Sequence, residues 1–134
     1  MATPESLLKR SILQFLETQY PSGTFWMNKS VGVYDAKKGI YRKNNSRYDL
    51  NGVSDILGLL NGIFVALEVK TPSNKKRPQD QADFVHLVQS HGHLAAFVTS
   101  VDQVEELLRS FFTDKGKMDL RKWESLRNRE TLVI

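Results

Sequence analysis

A β-hairpin is predicted by residues 52–70, which read GVSDILGLLNGIFVALEVK. Asn61 and Gly62 stand between two apolar runs, and Asn-Gly is a preferred two-residue type I′ turn because both of its residues need a positive φ. With these residues as the turn, Leu60 faces Ile63, and every other pair of the hairpin follows from that register. The stretch therefore predicts two antiparallel strands of defined register.

Three charged side chains are brought onto one face by this register. Asp55 is placed opposite Glu68, and Lys70 shares the face of Glu68 because side chains alternate along a strand. Facing Cβ atoms lie about 4.5–5.5 Å apart, and two carboxylates at that separation repel unless a cation or a proton lies between them. Each residue alone is open to a structural interpretation, as a solvated edge position or a surface ion pair. The opposed carboxylates favour a site for a divalent metal and a phosphate.

Asp55 followed by Glu68-Val69-Lys70 resembles the PD-(D/E)XK nuclease superfamily. The wider pattern resembles its VRR-NUC branch, the virus-type replication-repair nucleases, over about residues 5 to 110. Ser54 stands where the superfamily name has proline, at a position that varies among such enzymes. The other matching features are an early acidic residue (Glu5), Phe25–Asn28 before Gly32, Gly52–Asp55, Thr71-Pro72, Gln81–Phe84 and His91-Gly92.

The resemblance implies a fold and an activity. The fold would be a restriction-endonuclease-like α/β core, with the element order αβββαβ and a mixed central sheet flanked by helices. The activity would be metal-dependent endonuclease hydrolysis of DNA phosphodiester bonds, on branched or junction DNA, in replication, recombination or repair. A phage or bacterial setting is expected on the same grounds. Because a symmetric dimer would cut two opposed strands, a homodimer or higher homo-oligomer is expected.

The same resemblance assigns roles in a metal site. Asp55 and Glu68 would hold Mg²⁺ or Mn²⁺, which prefer hard carboxylate oxygens. The main-chain carbonyl of Val69 would add a ligand. Lys70 would orient or activate the attacking water and offset negative charge in the transition state.

Two further polar residues belong to this expected site. Gln81 lies on one helix face with Val85 and Val88, so it is predicted to face the sheet. It would contact the attacking water, the scissile phosphate or the active-site lysine, whereas a hydrogen bond to nearby backbone is the structural alternative. Glu5 would complete a second or outer-shell metal site, although an acid at a helix start also favours the helix dipole.

Positive charge is concentrated in two segments that flank the predicted site in sequence. Tyrosines are interleaved with the first segment, residues 34–48, so it is a candidate ribbon that follows a phosphate backbone and stacks on bases. A solvated face is the alternative for each cluster alone. The residues predicted to contact nucleic acid are Lys37, Lys38, Arg42, Lys43 and Arg47 in the first segment and Lys75, Lys76 and Arg77 in the second.

Length and composition indicate one soluble globular domain. The chain has 134 residues, 40% of them hydrophobic and 25% charged, with a formal net charge of +4 that mildly favours an anionic partner. No run approaches the roughly 20 apolar residues of a membrane span. The absence of cysteine excludes disulfides and a thiolate zinc site. The N-terminal residues do not resemble a signal peptide, so a cytoplasmic location is expected.

The remaining elements follow from capping and periodicity. A helix begins at Thr3-Pro4-Glu5, and a capping box at Ser100 begins another. A polar tail is expected from about residue 113. The predicted strands and second helix are Thr24–Asn28, Val31–Tyr34 with Ile40–Arg42, a helix from Pro78 to His91, and Leu94–Thr99.

Two other functions are open at this point. A non-catalytic nucleic-acid-binding accessory module would keep the basic clusters without needing Asp55, Glu68 and Lys70 together. An enzyme acting on a smaller phosphate ester would have little use for the basic segment at 34–48. His86 and the pair His91 and His93 lack a zinc pattern and are predicted not to be catalytic.

Overall fold

The computed structural model describes residues 3–29, 33–42, 50–113 and 117–118. These residues form an α/β fold, which confirms the predicted class. No helix within these ranges is long and apolar enough to cross a membrane. In chain order the elements are α1 (Pro4–Gln19), β1 (Thr24–Met27), β2 (Val33–Asp35), β3 (Ile40–Arg42), β4 (Ile56–Leu60), β5 (Ile63–Val69), α2 (Gln79–Ser90), β6 (Leu94–Val98), α3 (Val101–Phe111), β7 (Phe112–Thr113) and β8 (Lys117–Met118).

The central sheet is mixed, as predicted, and its four strands lie in the order β1-β4-β5-β6. β4 pairs antiparallel with both β1 and β5, whereas β6 pairs parallel with β5. Parallel neighbours need a crossover connection, and α2 provides it. β2 and β3 pair antiparallel in a separate two-stranded ribbon. The described part of the basic segment therefore belongs to that ribbon and not to the central sheet.

The β4–β5 hairpin has the predicted turn and register. Asn61 has a φ of 50° and Gly62 a φ of 79°, as a type I′ turn requires. Leu60 pairs with Ile63 at the turn, and the ladder continues to Ile56 opposite Leu67. The next residues outward in this register are Asp55 and Glu68.

Two apolar layers lie on the two faces of β5. Val65 and Leu67 are fully buried on the face that packs with α1 and α3. Ala66 lies on the other face, in a cluster with the buried side chains of α2. Side chains alternate along a strand, so Glu68 and Lys70 belong to the face on which α2 packs. The strand thus ends in charged residues that follow its buried apolar ones. Burial of the two apolar layers stabilises the fold by about 1.5–3 kcal/mol for each large side chain.

The helix boundaries follow the predicted capping residues. Thr3 Oγ1 accepts a hydrogen bond from the Ser6 N–H at 3.1 Å, and α1 begins at the next residue. Ser100 Oγ accepts from the Gln103 N–H at 3.1 Å, and α3 begins directly after it. Gly92, with a φ of 81°, follows the end of α2 as predicted. Caps of this kind contribute about 1 kcal/mol each.

Some sequence predictions concern residues outside the described ranges. Lys43 and Arg47 of the basic segment are among them, as is most of the tail predicted from about residue 113. The described residues of that tail form the short β7–β8 pair.

Gly52 brings the segment before β4 against the start of α2. Its φ is 72°, in the left-handed region that favours glycine. A Cβ added there would overlap the main-chain carbonyl of Asp80 and lie 2.6 Å from the amide nitrogen of Gln81. Glycine is therefore required both by the backbone conformation and by the close approach. The contact holds the first turn of α2 beside the residues that lead to Asp55.

We expect Gly52→Ala to lower the free energy of unfolding by about 3 kcal/mol, because the methyl group adds an overlap to the backbone strain. Gly62→Ala is the matched control: its φ is 79°, but apart from its chain neighbours no described residue has a heavy atom within 4 Å of the added Cβ. That variant should lose only the strain, about 1–2 kcal/mol. Urea denaturation measures both, and equal losses would contradict a packing role for Gly52.

Candidate active site

Asp55 is held at the start of β4 by contacts from three other segments. The Asn28 N–H donates to the main-chain carbonyl of Asp55 at 2.8 Å, which extends the β1–β4 pairing. The Val69 N–H donates to Oδ2 of the Asp55 side chain at 2.9 Å. The Lys9 Nζ of α1 lies 3.3 Å from Oδ1. Both carboxylate oxygens are thereby oriented.

Glu68 is a buried carboxyl group near the end of β5, with 2% of its surface exposed. Burial raises the pKa of Glu68 to about 9, together with the hydrogen bond to Asp55 and the negative charge of that residue, while Lys70 and Lys9 oppose the rise. Glu68 therefore keeps its proton at neutral pH. Glu68 Oε2 is buried, and among the described residues it has no hydrogen-bond partner. Buried polar atoms normally have one, so this oxygen is available to a ligand.

Lys70 lies next to this pair, with 6% of its surface exposed. Its N–H donates to the Val98 carbonyl at 2.9 Å, which extends the β5–β6 pairing beyond Val69. Lysine is almost never fully buried without a partner, and the charge of Lys70 acts on Glu68. The structure thus brings together Asp55, Glu68 and Lys70, as the hairpin register predicts.

Gln81 occupies the first turn of α2, on the helix face of the buried Val85 and Val88. Its Oε1 is buried and has no hydrogen-bond partner within the part of the chain that the structure describes. The backbone hydrogen bond that was the structural alternative for this oxygen is therefore not made. Ser54, the residue before Asp55, is fully buried, and its Oγ also lacks a partner among the described residues.

The chemistry of the carboxyl pair suits a divalent metal ion. Asp55 and Glu68 offer the oxygen ligands that Mg²⁺ and Mn²⁺ prefer, and no described residue donates a hydrogen bond to Glu68 Oε2. In the described ranges, no group of three or more His, Cys, Asp or Glu side chains is placed to hold a metal ion. Glu5, in the first turn of α1, therefore forms no three-carboxylate cluster with the pair. The ligand roles of Glu5 and of the Val69 carbonyl stay predictions.

Lys9 is a residue of the site that the sequence interpretation missed. The position of Lys9 in the helix could have revealed this role. Lys9 stands three positions before Ile12 and seven before Leu16, and both of these residues are fully buried. Residues at that spacing share one helix face. A lysine on the buried face of a helix needs an anionic partner, and here that partner is Asp55.

The described lysines among the predicted nucleic-acid-binding residues are exposed in one loop and one turn. Lys75 and Lys76 are exposed in the loop between β5 and α2, and Lys37 and Lys38 are exposed in the β2–β3 turn. Arg42 ends β3.

Arg77 differs from these lysines because its guanidinium makes contacts within the chain. Its Nη1 donates to the carbonyls of Asn74 at 3.0 Å and Lys76 at 2.9 Å. Its Cζ lies 5.0 Å from the ring centroid of Phe97, a cation–π contact. These contacts tie the loop to β6, so Arg77 has a structural role that the charge pattern did not reveal.

His93 also has a structural role. Its Nδ1 accepts a hydrogen bond from the Phe64 N–H at 3.0 Å, which joins the starts of β5 and β6.

Comparison with family models, with curated proteins and with solved structures finds no match to this chain. The functional argument therefore depends on the residues of the site.

Glu68→Gln tests the raised pKa of Glu68. In the unfolded chain Glu68 ionises near 4.5, whereas in the folded chain it keeps its proton to about 9. Between these values the folded state binds the extra proton, so the wild-type chain should lose stability as pH rises, by up to about 1.4 kcal/mol per pH unit. The variant has no such proton, so its stability relative to wild type should increase over this window.

Urea denaturation at several pH values between 5 and 9 measures the difference. Glu17→Gln, at an exposed carboxylate of α1, is the control and should follow wild type. A constant difference between Glu68→Gln and wild type across the window would contradict the raised pKa of Glu68.

Proposed function

We propose that the chain is a metal-dependent nuclease that hydrolyses DNA phosphodiester bonds, with Mg²⁺ or Mn²⁺ as cofactor. The observation that carries the proposal is the group formed by the buried Glu68 and Lys70 and the partly exposed Asp55 at the ends of paired strands. Burying such groups is unfavourable for folding, and strongly perturbed pKa values cluster at functional sites. Two carboxyl groups and an ammonium group are also what metal-assisted cleavage of a phosphate ester needs.

The two carboxyl groups would hold the ion through their side-chain oxygens. A bound divalent ion polarises the phosphoryl group, stabilises the leaving oxygen and lowers the pKa of a coordinated water. Asp55 is oriented for this role by the Val69 N–H and by Lys9. Glu68 must release its proton to become a ligand, so metal affinity should increase as pH rises towards 9.

Lys70 and Gln81 would act on the water and the phosphate. The ammonium of Lys70 offsets the negative charge that develops in the transition state, and a fixed charge in a buried position is effective because no solvent has to reorganise around it. The partnerless Oε1 of Gln81 can accept a hydrogen bond from the attacking water and so orient it.

The exposed lysines favour a polyanionic substrate over a small phosphate ester. Lys75 and Lys76 follow the active-site strand directly, and Lys37 and Lys38 add charge in the β2–β3 turn. Phosphate contacts of this kind supply affinity without reading the base sequence. Branched or junction DNA, a role in repair, a homo-oligomer and a restriction-endonuclease-like core are parts of the proposal that rest on the sequence resemblance alone.

Cleavage of labelled duplex, single-stranded, flap and four-way-junction DNA tests the proposal. Wild-type chain should cleave with Mg²⁺ or Mn²⁺ and not with EDTA. Lys70→Met and Asp55→Asn should each lower the rate by at least about 100-fold, the usual loss when one charge-stabilising or proton-transferring group is removed. Asp102→Asn, at an exposed acid in the first turn of α3, should leave the rate unchanged.

Full activity in the Lys70 or the Asp55 variant would refute the assignment. Binding without cleavage under every metal condition would favour the non-catalytic accessory module.

The loop between β5 and α2 gives a second test, because its basic residues have different environments. Lys75→Gln and Lys76→Gln should each weaken DNA binding and reduce the slope of log affinity against log salt by about 1, without loss of stability. Arg77→Gln should lower the free energy of unfolding by about 1–3 kcal/mol, because it leaves two carbonyls without their donor and loses the contact with Phe97. Fluorescence anisotropy across a salt series and urea denaturation measure the two effects. An unchanged salt slope in both lysine variants would remove this loop from the DNA contact.

A further inference from the structure

Lys9 contributes positive charge to the carboxyl pair from a separate element. Its Nζ lies 3.3 Å from Oδ1 of Asp55, and the two side chains are only 23% and 22% exposed. The charge of Lys9 also lowers the pKa of Glu68, as the charge of Lys70 does. Two lysines on different elements therefore face two carboxyl groups.

We propose that Lys9 is a resident counter-cation of the Asp55–Glu68 pair, which stabilises the folded chain and weakens the binding of a divalent ion by that pair. The inference rests on the proposed function, since it concerns the ion that the pair would hold. Lys9 would set the metal affinity without supplying a ligand, whereas Asp55 and Glu68 would supply ligands.

The stabilising effect of Lys9 follows from its attraction to the Asp55 carboxylate, 3.3 Å away at a partly exposed position. Lys9 supplies its charge from the buried face of α1, on which Ile12 and Leu16 are fully buried. Because the helix is fixed by this packing, the ammonium is held near Asp55.

The weaker binding of a divalent ion follows from the 3.3 Å distance between Lys9 Nζ and Asp55 Oδ1. An ion ligated by Asp55 would come within a few ångströms of the Lys9 ammonium, and like charges at that separation repel strongly where solvent is partly excluded. The ion and the lysine also compete for the lone pairs of one carboxylate. Removing the lysine charge therefore favours the ion.

The test compares Mn²⁺ binding and stability in the full chain without nucleic acid. In EDTA, Lys9→Met should lower Tm by about 2–6 °C, because a partly exposed ion pair is lost. In titration calorimetry it should bind Mn²⁺ about 5- to 30-fold more tightly than wild type. The rise in Tm on adding Mn²⁺ should accordingly be larger in the variant. Lys9→Gln, which keeps a hydrogen-bond donor to Asp55, should change in the same direction and guards against loss of the fold in Lys9→Met.

Two controls separate the local effect from a general change in charge. Arg10→Met removes the same charge from the next, exposed position of α1 and should leave Mn²⁺ affinity unchanged. Lys9→Arg keeps the charge and should also resemble wild type.

Unchanged or weaker Mn²⁺ binding in both neutral Lys9 variants would overturn the inference while leaving the proposed function intact. Equal tightening in Arg10→Met would overturn it too, since the effect would then come from net charge. A wild-type chain that binds no Mn²⁺ would refute the proposed function itself, and the counter-cation role with it.

Discussion

Two carboxyl groups that meet at the end of one hairpin determine what must surround them. Glu68 is buried and Asp55 is partly exposed, and the charge of Asp55 adds to burial in raising the pKa of Glu68. The chain compensates them with a backbone N–H, a proton on Glu68 and two lysines. These compensating groups come from α1 and from the end of β5, so the pair depends on how the helix and the hairpin are assembled. A site of this kind is part of the fold and is not an addition to its surface.

Local signals in the sequence predicted the scaffold of the site well. The Asn61-Gly62 turn fixed the hairpin register, and Thr3 and Ser100 marked the starts of two helices. In each case the deciding interaction lies within a few residues of the chain, so the residue type is enough to reveal it. The opposition of Asp55 and Glu68 followed from the turn alone, because pairing in a hairpin propagates from its closed end.

Contacts between distant segments were not predictable in the same way. Arg77 was grouped with its neighbouring lysines by charge, but Phe97, which lies under its guanidinium, belongs to a strand twenty positions away. The close approach of Gly52 to the Asp80–Gln81 peptide likewise depends on how α2 lies against the sheet. The role of Lys9 needed both the face of α1 and the location of Asp55. Such contacts require the tertiary arrangement, for which a single sequence offers periodicity but no distances.

The alternation of β5 also limits how the length of this hairpin can vary. Even-numbered residues from Ala66 to Lys70 lie on the face of α2, and odd-numbered ones face α1 and α3. One residue inserted or deleted between the turn and Leu67 would exchange the two sets, placing Glu68 and Lys70 on the face of α1 and α3 and Leu67 on the face of α2. Changes of two residues would restore the parity but move Glu68 away from Asp55 by about 7 Å. The spacing between turn and carboxylate is thus under a stricter constraint than the identity of most apolar residues within it.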